Sequence, residues 1–440
     1  MQQVAQATPS PLERNLKVSV PVAQIEAEIA TRLKQLARTV KMQGFRPGKV
    51  PLKMVERHYG FQVRQEVLSD KVQRSFEEAV KSQNYRVAGF PRFQPVTAAA
   101  GEPAASESIE YTATFEIYPE IVFGDFSKIE IAKPATEVRD ENVEATLETV
   151  RRQRAKYNRV ERAAAAGDLV NVDFEGLIAG QPFEGNKASN FTIVLGEGKM
   201  LPAFEDSVVG MKAGETRTFP LTFPQDYQEQ LRGKTADFTV TVNQVAEPEL
   251  PPLDADFARA LGVQDGDVER LKREVRENVT RETAKRIKAS VKEQVMEGLL
   301  AGSTFEVPRA LLDAEIASMQ KAAVEDLKAR GMTTQDLTLP PDLFVERATR
   351  RLKLFLLVTE LVRRNNLQAR PEQVRKVIEE HAESYEKPEE LVRWYYGDRG
   401  RLAEVEALVM EDNVVEWALG KMHVSDAPTP FEDLMGTRKA

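Results

Sequence analysis

Apolar and polar positions recur with two different periods along this chain, and the switches between them mark its parts. Leu16, Val18 and Val20 alternate with Lys17 and Ser19, which predicts a strand ended by Pro21. Val22, Ile25, Ile29, Leu33, Leu36 and Val40 then fall at steps of three and four, one apolar stripe on a helix. Helical spacing resumes at Leu52 and Val55 and again at Leu68, Val72, Phe76 and Val80. Between these helices Gly44-Phe45-Arg46-Pro47-Gly48-Lys49-Val50-Pro51 crowds glycines and prolines together, which predicts a tight exposed turn tipped by an aromatic and two cations. Alternation returns at residues 85–95 and 109–117, closing a small α+β domain near residue 118, with 97–108 as a loop.

Beyond it the pattern predicts a strand at 128–132 and a helix carrying Val143, Leu147, Val150 and Tyr157 on one face. Residues 167–246 form a strand-rich island. There Val170, Val172 and Phe174 oppose Asn171, Asp173 and Glu175, and further strands are expected at 191–195, 215–223 and 238–245. Glu247-Pro248-Glu249-Leu250-Pro251-Pro252 reads as a stiff linker. Everything after it reads as helix. Leu271, Val275, Val279, Ile287, Val291, Val295 and Leu299 line a segment of more than thirty residues, and further helices are expected at 308–330, 342–365, 371–385 and 401–420. Gly331, Pro340-Pro341, Pro371 and Pro388 read as breaks, and the whole as an open or elongated helical bundle.

The 440-residue length supports roughly three domains. Without cysteine the chain has neither disulfides nor thiol chemistry, which fits a reducing compartment. The first residues lack a secretory pattern, and the longest strongly apolar run, residues 354–358, falls far short of the ~20 residues a bilayer needs. The expectation is a cytoplasmic protein with no membrane partner. The net charge of −8 conceals an asymmetry: residues 1–60 carry ten Lys/Arg against four Asp/Glu, and residues 371–440 nine against sixteen. One end therefore favours an anionic partner.

Nucleotide chemistry is excluded at residues 44–49, where three residues rather than four separate the glycines and Val50 follows the lysine. His58, His381 and His423 have no metal-type neighbours, and no GxSxG is present, so no cofactor, metal or nucleophile is expected. The island instead concentrates aromatics: Phe174, Phe183, Phe191, Phe204, Phe223, Tyr227 and Phe238.

Its motifs decide the reading. Gly167-Asp168-x-Val170, Asp173-Phe174-x-Gly176, Pro182-Phe183-Glu184, Leu195-Gly196-x-Gly198, Leu201-Pro202-x-Phe204-Glu205 and Val209-Gly210-Met211-Lys212-x-Gly214-Glu215 resemble the FKBP-type peptidyl-prolyl isomerases in order and spacing. The resemblance implies a bent antiparallel sheet on a short helix near residues 202–208. It places Phe174, Phe183, Glu184, Phe191, Leu201, Phe204, Tyr227 and Phe238 at a proline pocket, with the Tyr227 hydroxyl facing a substrate carbonyl. Phe204 stands where many such domains carry tryptophan, Glu184 replaces the more usual aspartate, and the loop between Pro224 and Ala236 is shorter than in the small immunophilins.

The turn at residues 44–51 resembles the ribosome-binding signature of the bacterial trigger factor family, which also has this order of parts. That resemblance implies an α+β multidomain protein. An N-terminal α+β ribosome-binding domain (1–118) is followed by a linker and helix (119–166), an FKBP-like antiparallel β domain (167–246) and an elongated all-α C-terminal domain with arms (247–440). Gly44, Phe45, Arg46, Gly48 and Lys49 are then the ribosome anchor, on ribosomal protein and RNA near the exit tunnel. Nascent and unfolded polypeptides are the clients, held without ATP, and homodimerisation off the ribosome is a further expectation. Two other readings compete: a free-standing FKBP-type isomerase whose helices dimerise or recruit a client, and a nucleic-acid-binding protein using the basic N-terminal helices and Arg151-Arg152-Gln153-Arg154. Acidity toward the C-terminus and the lack of aromatics among the basic residues weigh against the last.

Overall fold

The computed structural model describes residues 10–43, 45, 50–96, 107–332, 337, 339–383, 385 and 387–436. They pack as two compact units, one of residues 1–133 with 290–425, the other of residues 134–289 with 426–440.

In the first unit the Ser108–Ile117 strand lies between Glu13–Pro21 and Val87–Pro95, antiparallel to both. The predicted stripe buries Ile25, Ile29 and Leu33 of the Val22–Thr39 helix against Val55, Val63 and Val67 of the Leu52–Ser82 helix. Phe76 crosses onto the sheet, meeting Phe93 and Phe115 edge-on at 5.5 and 5.1 Å. The helices Arg309–Ala329, Asp342–Asn365, Pro371–Ala382 and Arg399–Leu419 lie close to their predicted ranges. One more, Pro388–Tyr396, begins at Pro388, where the sequence pattern predicts a break; proline is well placed at a first helical turn because its missing N–H would go unpaired there.

The small sheet and the helices of this unit meet at polar contacts. The Glu116 carboxylate accepts from Ala310 N at 2.7 Å, at the start of the Arg309–Ala329 helix, where free N–H groups favour an anion. Buried Glu360 receives Arg363 and Arg364 at 2.6 Å and Arg86 at 3.6 Å. Hydrogen bonding from Arg363 outweighs the effect of burial, and with Arg364 it holds the Glu360 carboxyl down at about 2.

The second unit is built on a five-stranded sheet. Its long Thr235–Glu249 strand pairs with Leu169–Leu177 along one edge, and its other edge is shared end to end by Thr216–Thr222 and Lys156–Val160. Lys187–Val194 pairs with the far side of Leu169–Leu177. Three sequence expectations change here. The Asp140–Gln153 helix ends before Tyr157, which lies in a strand instead. Glu247, Pro248 and Glu249 are not a free linker but the end of the long strand, Pro248 opposite Tyr157. The sheet thus extends beyond 167–246 on both sides. Proline fits because it stands near a strand end, where a missing N–H costs least.

The helix Val268–Ala301 runs for 34 residues; its first part belongs to the second unit and its last to the first. Leu271, Val279, Val291, Val295 and Leu299 are buried along it, as the spacing predicts. Among the described residues no helix is long and apolar enough to cross a membrane.

Candidate active site

The sheet of the second unit folds over the short Pro202–Val208 helix, and phenylalanine rings fill the space between them. Val170, Val172, Val240 and Val242, buried at alternate positions, form the strand side of this core. A register shift between Val172 and Phe174 leaves Asp173 without a paired residue on the Lys187–Val194 strand, and its carboxylate accepts from Asn190 N at 2.6 Å. Phe174 then leans into the ring cluster.

Phe204 is the floor, 1% exposed. Its ring lies 5.5 Å from Phe174 and 5.8 Å from both Phe219 and Phe238, each close to edge-on. Phe238 stands opposite Gly176, and a side-chain carbon on Gly176 would come within 2.7 Å of the ring. Only glycine leaves that space, so Gly176 sets where Phe238 lies. Phe183 meets Phe223 at 5.8 Å and Phe238 at 6.3 Å, and Phe223 meets Tyr227 at 5.0 Å. Phe191 meets Phe174 at 5.8 Å from the other side. Exposure rises outward, to 37% at Phe191 and 40% at Tyr227.

Of the eight residues expected at a proline pocket, Phe174, Phe183, Phe191, Phe204, Tyr227 and Phe238 join one ring network, and Leu201 packs beside it half-buried. Glu184 is exposed beside Phe183 and belongs to no ring contact. Phe219 was missed, although Phe219 and Leu221 alternate on one face of the Thr216–Thr222 strand and Phe223 follows just past its end, a signal legible in the sequence.

Two buried carboxylates hold the frame. Glu205 accepts from Gly196 N at 2.7 Å and Met200 N at 3.1 Å, tying the 195–201 loop to the helix that carries Phe204. Asp168 takes both guanidinium nitrogens of Arg162 at 2.6 and 2.9 Å and also Ala165 N at 2.8 Å. At the Lys212-x-Gly214-Glu215 turn the Lys212 N–H, then Arg217, holds the Glu215 carboxyl below its ordinary value. The site itself offers rings, not acids or bases.

At the other expected site, Gly44, Arg46, Gly48 and Lys49 lie outside the described residues. Phe45 is 38% exposed, with its N–H on Met42 O at 3.1 Å.

A sheet wrapped on a short helix around a phenylalanine cluster defines an FKBP-type isomerase domain, and residues 160–243 match the model of the FKBP-type peptidyl-prolyl cis-trans isomerases. Residues 1–150 match the bacterial trigger factor protein model, and residues 267–420 match that of its C-terminus. Trigger factor of Azoarcus sp. (strain BH72) is 48% identical over 99% of this chain and 98% of its own length. That of Chromobacterium violaceum is 48% identical over 99% of this chain and all of its own. The chain belongs to the trigger factor family: it is a chaperone with an FKBP-type peptidyl-prolyl isomerase domain, in a family that binds ribosomes and unfolded client proteins.

Proposed function

We propose that Phe174, Phe183, Phe191, Leu201, Phe204, Tyr227 and Phe238 form the pocket that seats a substrate proline, with Glu184 at its edge. The graded burial of one ring network, from Phe204 out to Phe191 and Tyr227, supports this. Rotation about an X–Pro bond crosses a barrier of about 18–20 kcal/mol and needs no proton transfer. The planar amide is stabilised by resonance that water reinforces through its hydrogen bonds. In an apolar pocket that support is lost, and a site whose shape suits the twisted amide binds it better than the planar one. Tyr227 donates a hydrogen bond from its hydroxyl to a substrate carbonyl oxygen, fixing the peptide while the bond turns. Phe191→Ala and Tyr227→Phe test the pocket at exposed positions, where folding is least disturbed. Each slows catalysis of proline-limited refolding by roughly tenfold or more; full activity in both contradicts the assignment.

The remaining parts follow the four-part division, with 1–118 docking on the ribosome and 247–440 holding clients without ATP. Phe45, Arg46 and Lys49, within the Gly44 to Lys49 turn, anchor the chain beside the exit tunnel. The ring meets an apolar contact and the cations meet acidic side chains of a ribosomal protein or RNA phosphate. The excess of Lys/Arg in residues 1–60 supports this. The protein works in the cytoplasm and dimerises when not on ribosomes. Co-sedimentation with ribosomes is lost on replacing Phe45, Arg46 and Lys49 together by Ala; unchanged co-sedimentation refutes the anchor.

A further inference from the structure

Beside the ring cluster the Lys187–Val194 strand carries a bulge. The strand pairs Phe191 with Val172 and Ala188 with Phe174, so Ser189 and Asn190 together stand opposite the single residue Asp173. An extra residue of this kind bends a strand, raises its twist and re-aims the side chain that follows. Asn190 takes a φ of +53° there, a left-handed conformation that asparagine enters more readily than most residues. The strand is also the last of its sheet, paired only with Leu169–Leu177 among the described residues.

The bulge is tied back by Asp173, whose Oδ1 accepts from Asn190 N at 2.6 Å, a short bond of the kind an ionised acceptor makes. Each partner of this bond is followed directly by a ring of the cluster. Phe174 comes after Asp173 and Phe191 after Asn190, and the two rings meet edge-on at 5.8 Å. Phe204, on the floor, is fixed by Phe174, Phe219 and Phe238. Phe191, on the rim, has Phe174 as its only ring neighbour among the described residues. Ring packing therefore holds Phe191 from one side alone, and its place depends on the backbone that carries it.

We propose that Asp173 is a positioning residue of the isomerase site: by holding Asn190 N it fixes the bulge, and through the bulge it fixes Phe191 at the rim of the proline pocket. The carboxylate itself touches no substrate. This rests on the pocket reading above and adds to it a residue that acts through Phe191.

A double-mutant cycle in the full chain tests it, with kcat/KM for isomerisation of an Ala-Leu-Pro-Phe peptide as the readout and thermal unfolding recorded on each variant. Phe191→Ala alone is expected to cost roughly tenfold and Asp173→Ala alone about fivefold. In the Phe191→Ala background Asp173→Ala should cost less than about twofold more, because the ring it places is gone. Asp173→Asn, which keeps an oxygen acceptor without the charge, should stay within about twofold of the unaltered chain. Full activity in Asp173→Ala, an equal loss with and without Phe191, or a loss in Asp173→Asn as large as in Asp173→Ala overturns the proposal. Those outcomes leave the pocket reading standing as long as Phe191→Ala itself is slow; a fully active Phe191→Ala removes Phe191 from the pocket and the proposal with it.

Discussion

The phenylalanines of the isomerase domain and the large apolar residues on the helices of the other unit are the same chemistry in opposite states. Phe204, Phe219, Phe223 and Phe238 are buried and fixed by one another's edges. On the Asp342–Asn365 helix, by contrast, Phe344, Ala348 and Leu352 are buried while Leu343 and Phe355 are 66% and 58% exposed. Trp394 and Tyr396 are half exposed on a helix that buries none of its residues. A site that must favour one twisted geometry needs rings that do not move, whereas a surface that receives many sequences needs apolar area not already satisfied within the fold.

The sharpest way to break this contrast is at the floor. Phe204→Ala should cost about 3–5 kcal/mol, as expected for a large ring removed from a packed core, and isomerase activity should fall with it. Calorimetry that finds the transition of the sheet domain unmoved would show that the ring network is not what holds it.

The next effect lies in the unit without the isomerase. Glu360 is held at about 2, below the ordinary carboxyl range, so its contribution is complete above the unfolded value near 4.5 and is lost as pH falls toward about 2. Glu360→Gln should cost roughly 2 kcal/mol at neutral pH, less than a fully buried pair because its arginines are partly exposed. It should also flatten the acid limb of the denaturation curve. An unchanged acid limb would remove Glu360 from that account.

Gly176→Ala sharpens the comparison more finely. The added carbon must push the Phe238 ring, at about 1–3 kcal/mol, and isomerase activity should fall while aggregation suppression holds. Smallest in stability is the pair Leu343→Ser with Phe355→Ser, expected within about 0.5 kcal/mol per site. There the roles reverse: suppression of client aggregation should weaken and proline-limited refolding should not.

How much of this was legible in the sequence follows the range of the interactions. The Val22–Thr39 helix and the Leu169–Leu177 strand were readable because their periodicity is local. The Lys156–Val160 strand was not: Lys-Tyr-Asn-Arg-Val has no clear alternation, and its strand state depends on a partner about ninety residues on. Pro388–Tyr396 is hard to read because it is only nine residues long, although Leu391, Val392 and Tyr395 line one half-buried face of it. At the candidate site the motifs located most of the rings, yet neither the reach of Phe238 over Gly176 nor the loop held by Glu205 has a sequence signal.

The central claim is that one chain uses aromatics as a fixed catalytic cluster and, separately, as an open holding surface. It is tested most directly by the double variant Phe191→Ala with Tyr227→Ala, assayed for proline-limited refolding and for suppression of client aggregation in the same preparation. The predicted result is loss of most isomerase activity with holding intact. Parallel loss of both, in a protein whose thermal unfolding is unchanged, would contradict the claim.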